Sequence, residues 1–73
     1  MKVLENISAN IILGVSVLPK NAEIAYPKAI EHSNGRWGVL VKFNRTGLYS
    51  LFIDGSIISV NQAEAKKIVE GDR

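Results

Sequence analysis

Hydrophobic and polar positions alternate most clearly in the middle of the chain, where they predict a β-strand from Arg36 to Phe43. The side chains that fall on one face at a period of two are Trp37, Val39, Val41 and Phe43. Two further segments, Leu48 to Ile53 and Ser56 to Val60, are short and rich in residues that favour strands. Leu48 to Ile53 carries apolar groups on both faces, which predicts a central strand or one that is covered on both sides.

Three turn sequences separate these segments and predict an antiparallel meander. Asn34-Gly35 and Asp54-Gly55 suit type I′ hairpin turns, in which both central residues need a positive φ. Asn44 to Gly47 fits a type I turn that is closed by a left-handed glycine. The strand before the first turn is predicted over Tyr26 to His32.

After the last strand the apolar residues recur at helical spacing, which predicts a C-terminal helix. Asn61 fits the N-cap, and Glu64 fits the capping-box position, from which its side chain reaches back to the cap amide. Val60 and Ala65 can pack as a hydrophobic staple, and Gly71 is placed to end the helix. A narrow apolar stripe follows Ala65, Ile68 and Val69.

The N-terminal third is predicted from weaker patterns. Ile11 to Leu18 is interpreted as a strand that ends at Pro19, and the competing interpretation is a helix. The helical stripe would comprise Ile7, Ile11, Ile12 and Val15. Residues 1–8 are expected to form a loose arm or an extra edge strand, and Pro19 to Pro27 an irregular segment. The predicted fold is a single α+β domain over residues 1–73, with four or five short antiparallel strands and one C-terminal helix.

Composition limits the possible locations and stabilising devices. The chain has 73 residues, 47% of them hydrophobic, and no cysteine, so disulfides and thiolate metal sites are excluded. The longest apolar run, Ile11 to Leu18, has eight residues, whereas a membrane-spanning helix needs about 20. This run lies too deep in the chain for a signal peptide and has no basic segment before it. We therefore expect a protein of the cytoplasm.

The polar residues do not form a catalytic or ligand-binding constellation. His32 is the one histidine, and the neighbouring Glu31 would point to the opposite face of a strand. The carboxylates are scattered, and the glycines follow no phosphate-binding pattern. We expect a protein that is not an enzyme and that has no metal site, no cofactor and no small-molecule substrate.

Charge distinguishes one part of the chain. The net charge is only +2, and acids and bases mostly alternate, but no acid occurs between Glu31 and Asp54. The basic residues in that interval are Arg36, Lys42 and Arg45. The candidate residues for contact with a partner or with nearby RNA are Arg36, Lys42, Arg45, Trp37 and Phe52. Basic and aromatic residues are mixed in small RNA-binding sheets, but Trp37 shares a face with Val39 and Val41, which is more typical of a core.

Protein binding fits the distribution of apolar residues better than RNA binding does. A chain of 73 residues has few elements with which to cover a strand that is apolar on both faces. An uncovered patch or an open strand edge would be a docking site for a partner. The alternatives are that the N-terminal arm covers the surplus surface or that a homodimer does.

In length and plan, from Met1 to Arg73, the chain resembles the small host-takeover proteins of lytic bacteriophages. Within that group it resembles the transcription regulators of Xanthomonas phages that bind bacterial RNA polymerase. The resemblance implies contact with the amino-terminal segment of the β′ subunit and with the β flap. It also implies σ displacement at promoters and antitermination beside the nascent RNA. The alternatives are a small sheet-based RNA-binding module and an inhibitor or antitoxin-type protein that acts on another host enzyme.

Overall fold

A computed structural model describes residues 1–33 and 35–71, and across those residues it shows six strands and two helices. In chain order the elements are β1 (Lys2–Ser8), α1 (Ala9–Leu13), β2 (Ala22–Ile24), β3 (Lys28–Ser33), β4 (Arg36–Phe43), β5 (Tyr49–Ile53), β6 (Ser56–Ser59) and α2 (Gln62–Glu70). The α+β class and the C-terminal helix are confirmed. Neither helix within the described residues could span a lipid bilayer.

The sheet is antiparallel, with the strand order β1-β3-β4-β5-β6. β2 and β3 follow one another along the same side of β4, so they form one interrupted strand. The Ala25 N–H still donates to the Leu40 carbonyl at 2.8 Å, but Pro27 has no N–H and the pairing resumes with a shifted register at Ile30. This interruption explains why β3 begins at Lys28 and not at Tyr26, as was predicted.

The predicted meander is confirmed in its second half. β4 has the predicted bounds, while β5 and β6 each lack one residue of the predicted segment. Asp54 and Gly55 both have positive φ, 50° and 79°, as the turn between β5 and β6 requires. Gly35 also has a positive φ, whereas Asn34, the other half of the first predicted turn, lies outside the described residues.

Two hydrophobic clusters lie on opposite faces of the sheet. The first contains Ile30, Leu40, Leu51, Ile53 and Ala65, and it lies between the sheet and α2. The second contains Ala9, Val39, Val41 and Phe52, with Ile12 and Leu13 of α1 packed against it. β5 therefore contributes to both clusters, with Leu51 and Ile53 on the face of α2 and Phe52 on the face of α1.

The ends of α2 follow the predicted capping pattern with one change. The Asn61 side chain accepts a hydrogen bond from the Glu64 N–H at 3.0 Å, and Gly71 ends the helix in the left-handed conformation. The Glu64 carboxylate lies 3.2 Å from the Met1 ammonium, so it binds the start of β1. The Gln62 side-chain amide bonds both backbone groups of Tyr49, as a neighbouring strand would. It accepts from the Tyr49 N–H at 2.7 Å and donates to the Tyr49 carbonyl at 2.8 Å.

The prediction of a strand from Ile11 to Leu18 is wrong. Ser8 caps a helical turn by accepting from the Asn10 N–H, and the Ala9 N–H is bound to the Pro27 carbonyl at 2.8 Å. Gly14 ends the helix at a φ of 58°, and the apolar residues after it are in no regular element. Residues 2–8 form the edge strand β1, one of the two predicted possibilities. The region expected to be irregular contains β2, whose three residues pair with β4.

Candidate protein-contact surface

The candidate residues from the basic interval do not come together in one place. Arg36 begins β4 and Arg45 lies in the turn after it, and both are exposed. They therefore lie at opposite ends of a strand that is about 23 Å long at about 3.3 Å per residue. A single small ligand cannot contact both guanidinium groups, although an extended partner can.

Lys42 is engaged by neighbours within the fold. Its ammonium lies over the Tyr49 ring, 5.8 Å from the ring centre, and Glu23 of β2 is its cross-strand partner. A cation over an aromatic face is stabilised by the ring quadrupole, and the aliphatic stem of Lys42 is half-buried. Lys42 also lies on the face of the first cluster, opposite to the face that Trp37 occupies.

Trp37 and Phe52 lie on the same face, but they differ in accessibility. Trp37 is 42% exposed, whereas Phe52 is 7% exposed and belongs to the second cluster. Phe52 pairs across the strands with Ile57, which is 43% exposed on that face. Trp37 and Ile57 are thus the accessible apolar groups on either side of Phe52.

An exposed apolar segment that the sequence did not predict adjoins this face. Ile11 is 72% exposed, Val17 is 85% exposed, and Val15 between them is fully exposed. The patterns placed these residues in a strand, where alternate side chains would be buried. The only sequence signal for exposure is Gly14 in the middle of the apolar run, since it can end a helix and divide the run. We name Ile11 to Val17 the apolar segment.

A cleft of about 70 Å³ lies between the apolar segment and the sheet. Its lining includes Ile12, Ser16, Trp37, Val39, Phe52 and Asp54. Val39 and Phe52 are buried, so little of their surface is open to the cleft, and Asp54 in the β5–β6 turn is the one charged side chain in the lining. Val15 and Val17 flank Ser16 in the chain, so the exposed valines lie beside the cleft.

The described residues contain no group of three or more histidine and carboxylate side chains that is arranged to hold a metal ion. His32 is half-buried near the end of β3, where the register shifts, and Glu31 next to it pairs with Trp37 across the strands. The face that carries the cleft offers the exposed aliphatic groups of the apolar segment, the Trp37 indole and the Asp54 carboxylate to a partner.

A comparison of the chain with protein-family models, curated proteins and solved structures gives no match.

Proposed function

We propose that this protein is a non-catalytic regulator that binds bacterial RNA polymerase in the host cytoplasm. In this proposal it inhibits σ-dependent initiation and promotes antitermination by protein–protein contact with the β′ amino-terminal segment and the β flap. The observation that carries the contact mode is the apolar segment, in which Ile11, Val15 and Val17 are exposed beside the cleft. The choice of polymerase as the partner rests on the resemblance to phage host-takeover proteins.

The exposed aliphatic groups would contribute binding energy when a partner removes them from water. Burial of one valine or isoleucine side chain stabilises a contact by roughly 1.5–3 kcal/mol. Val15 and Val17 have larger exposed fractions than Trp37 or Ile57. A larger part of each valine side chain is therefore available for burial in a complex. Association itself costs several kcal/mol, so an interface that includes Trp37 and the cleft is needed for tight binding.

RNA binding is the second candidate, and one observation favours it. Trp37 is 42% exposed, and a base can stack on an accessible indole ring. The basic candidates do not extend this site, because Arg36 and Lys42 alternate with Trp37 along β4 and point to the other face, and Arg45 lies beyond the far end of the strand. RNA contact is therefore proposed only as an accompaniment to polymerase binding, at the edge of the interface.

The test is binding to purified bacterial core RNA polymerase, with Val17→Asp compared with Leu48→Asp. Both side chains are apolar and exposed, and both changes add one negative charge, but Leu48 lies in the loop at the other end of β4 from Trp37. We expect Val17→Asp to weaken polymerase binding at least tenfold and Leu48→Asp to change it less than twofold. Inhibition of σ-dependent transcription and read-through of an intrinsic terminator should fall in parallel.

Failure of the wild-type protein to bind polymerase would contradict the proposal. Equal effects of the two aspartate variants would contradict the assigned surface. A pull-down from bacterial lysate that recovered another host enzyme and no polymerase subunit would favour the inhibitor or antitoxin alternative.

A further inference from the structure

We infer that the outer edge of β1 binds an extended segment of a partner polypeptide, which adds an antiparallel strand to the sheet. The site comprises residues 2–5 and does not include the apolar segment, so the inference goes beyond the proposed function. It does not depend on which protein supplies the strand.

The open edge selects an extended polypeptide as the class of occupant. β1 is the last strand at one side of the sheet, so its outer backbone groups have no partner strand within the described residues. Such an edge presents N–H and C=O groups that can pair with another extended backbone. β6, at the other edge, has four residues and therefore offers fewer of these groups.

The surroundings of the edge favour apolar side chains in the added strand. A shallow groove of about 240 Å³ runs along residues 2–7, and most of its accessible lining is apolar. Val3, Leu4 and Ile7 are half-buried on β1, so each keeps some accessible aliphatic surface. A partner strand would remove part of that surface from water while its backbone pairs with β1.

A bulge limits the length of the site. Leu4 pairs with Ala29 and Ser8 pairs with Lys28, so residues 5–7 have no partner residue on β3. A bulge of this kind bends its strand and interrupts the regular ladder. A partner strand can therefore follow the edge in regular register from Lys2 as far as the first bulged residue, Glu5.

The charges at the two ends of this stretch select the outer residues of the partner segment. Lys2 and Glu5 are both exposed, and they have opposite signs. On β3, Lys2 faces Glu31, whereas Glu5 faces no residue. Antiparallel pairing is slightly more stable than parallel pairing, and it places a basic residue opposite Glu5 three positions before an acidic residue opposite Lys2. The preferred segment is therefore basic, apolar, apolar, acidic.

A second copy of this chain fits the edge poorly. Two copies that pair through the same edge are related by a two-fold axis perpendicular to the sheet. Residues that oppose each other point to the same face, so even-numbered residues can oppose only even-numbered ones. Pairing centred on Leu4 places Glu5 opposite Val3, and pairing centred on Glu5 places two carboxylates together. No symmetric register joins Lys2 to Glu5 of the copy, so charge favours a different polypeptide.

The experiment is an NMR titration of the isotopically labelled full chain with capped peptides. The first is acetyl-Thr-Lys-Val-Val-Glu-Thr-amide, and the second, acetyl-Thr-Glu-Val-Val-Lys-Thr-amide, has the same composition with the charges exchanged. We expect the first peptide to shift the amide resonances of residues 2–7 and to bind at least fivefold more tightly than the second. A third peptide, with N-methylvaline in place of both valines, lacks the backbone donors and should not bind.

Glu5→Lys should remove the preference, because the basic residue of the first peptide then meets a like charge. Glu5 is exposed and has no partner residue on β3, so the fold should be kept. Glu70→Lys is the matched control, because it makes the same change of charge on the exposed surface of α2 and should leave the preference unchanged.

Several outcomes would overturn the inference. Equal affinities for the first two peptides, tighter binding of the second, or binding of the N-methylated peptide would each do so. So would an unchanged preference in Glu5→Lys, or no shift in residues 2–7 at about 10 mM peptide, tenfold above a millimolar dissociation constant. A concentration-dependent dimer in which the β1 amides become protected would also overturn it, because a second copy would then occupy the edge.

Polymerase binding separates the two proposals. If the first peptide binds the β1 edge and polymerase does not bind the protein, the proposed function fails and the strand site stands. If polymerase binds wild type and Glu5→Lys equally and the peptides do not bind β1, the strand site fails and the proposed function stands.

Discussion

At the scale of single residues, Gly38 is the point where the sheet tolerates no side chain. A Cβ atom at this position would lie 2.6 Å from the Phe52 carbonyl oxygen and would also overlap the Ile53 side chain. The carbonyl belongs to the neighbouring strand and cannot move without displacing the ladder. We expect Gly38→Ala to lower the free energy of unfolding by about 2–3 kcal/mol, as overpacking does.

Urea denaturation measures this loss as a lower midpoint with an unchanged slope. Gly47→Asn is the control, because Gly47 has open space around its Cα and a left-handed backbone that asparagine adopts readily. The control should change stability by less than about 0.5 kcal/mol, as surface substitutions usually do. A Gly38→Ala protein as stable as the control would show that β4 and β5 can separate locally without loss.

The alternation of residues predicted which face a side chain occupies but not how accessible it is. Trp37 and Val39 share a face of β4, yet Val39 is fully buried and Trp37 is 42% exposed. The difference arises because α1 has only five residues and packs over Val39 and Val41. Such coverage depends on where a distant segment packs. The sequence therefore could not show that, of the two aromatic candidate contact residues, Trp37 is accessible and Phe52 is nearly buried.

At the scale of elements, α2 depends on its N-cap because a helix of nine residues is marginal in isolation. Asn61 accepts from the Glu64 N–H at 3.0 Å, which satisfies one of the free donors of the first turn. We expect Asn61→Ala to lower the free energy of unfolding by about 1 kcal/mol. Asn61→Asp keeps the acceptor, so its free energy of unfolding should stay within about 0.5 kcal/mol of wild type. Thermal denaturation measures both variants. Equal losses of stability would show that the Asn61 hydrogen bond does not stabilise α2.

Elements that are specified by local signals were predicted, and elements that depend on distant contacts were not. β4 and α2 have strong alternation, turns or caps next to them, so their bounds follow from neighbouring residues. α1 depends on the hydrogen bond from the Ala9 N–H to the Pro27 carbonyl, and β2 on pairing with β4. Both partners are many residues away in the sequence. The apolar segment was missed for the same reason, because its exposure follows from the short α1.

At the scale of the whole molecule, the three basic candidate residues do not lie together in one place. Arg36 and Arg45 occupy opposite ends of β4, and Lys42 lies over Tyr49 on the other side of the sheet from Trp37. The net charge is +2. A dedicated nucleic-acid binder gathers its basic groups on one surface. The apolar segment and the cleft instead lie together on one face, which agrees with the proposed contact with a protein partner.

This distribution leads to a prediction for the triple variant Arg36→Ala, Lys42→Ala, Arg45→Ala. We expect it to bind RNA polymerase less than tenfold more weakly than wild type, because the apolar contact is retained. For an RNA-binding module, each phosphate contact adds about 0.7–0.9 to the slope of log affinity against log salt. Loss of three such contacts would then abolish RNA binding at moderate salt. The two cases are distinguished by measuring the affinities for polymerase and for RNA from low to moderate salt. The proposed apolar contact would be contradicted if the triple variant lost polymerase binding and if wild-type affinity for polymerase fell steeply with salt. The basic residues would then be the main contact residues.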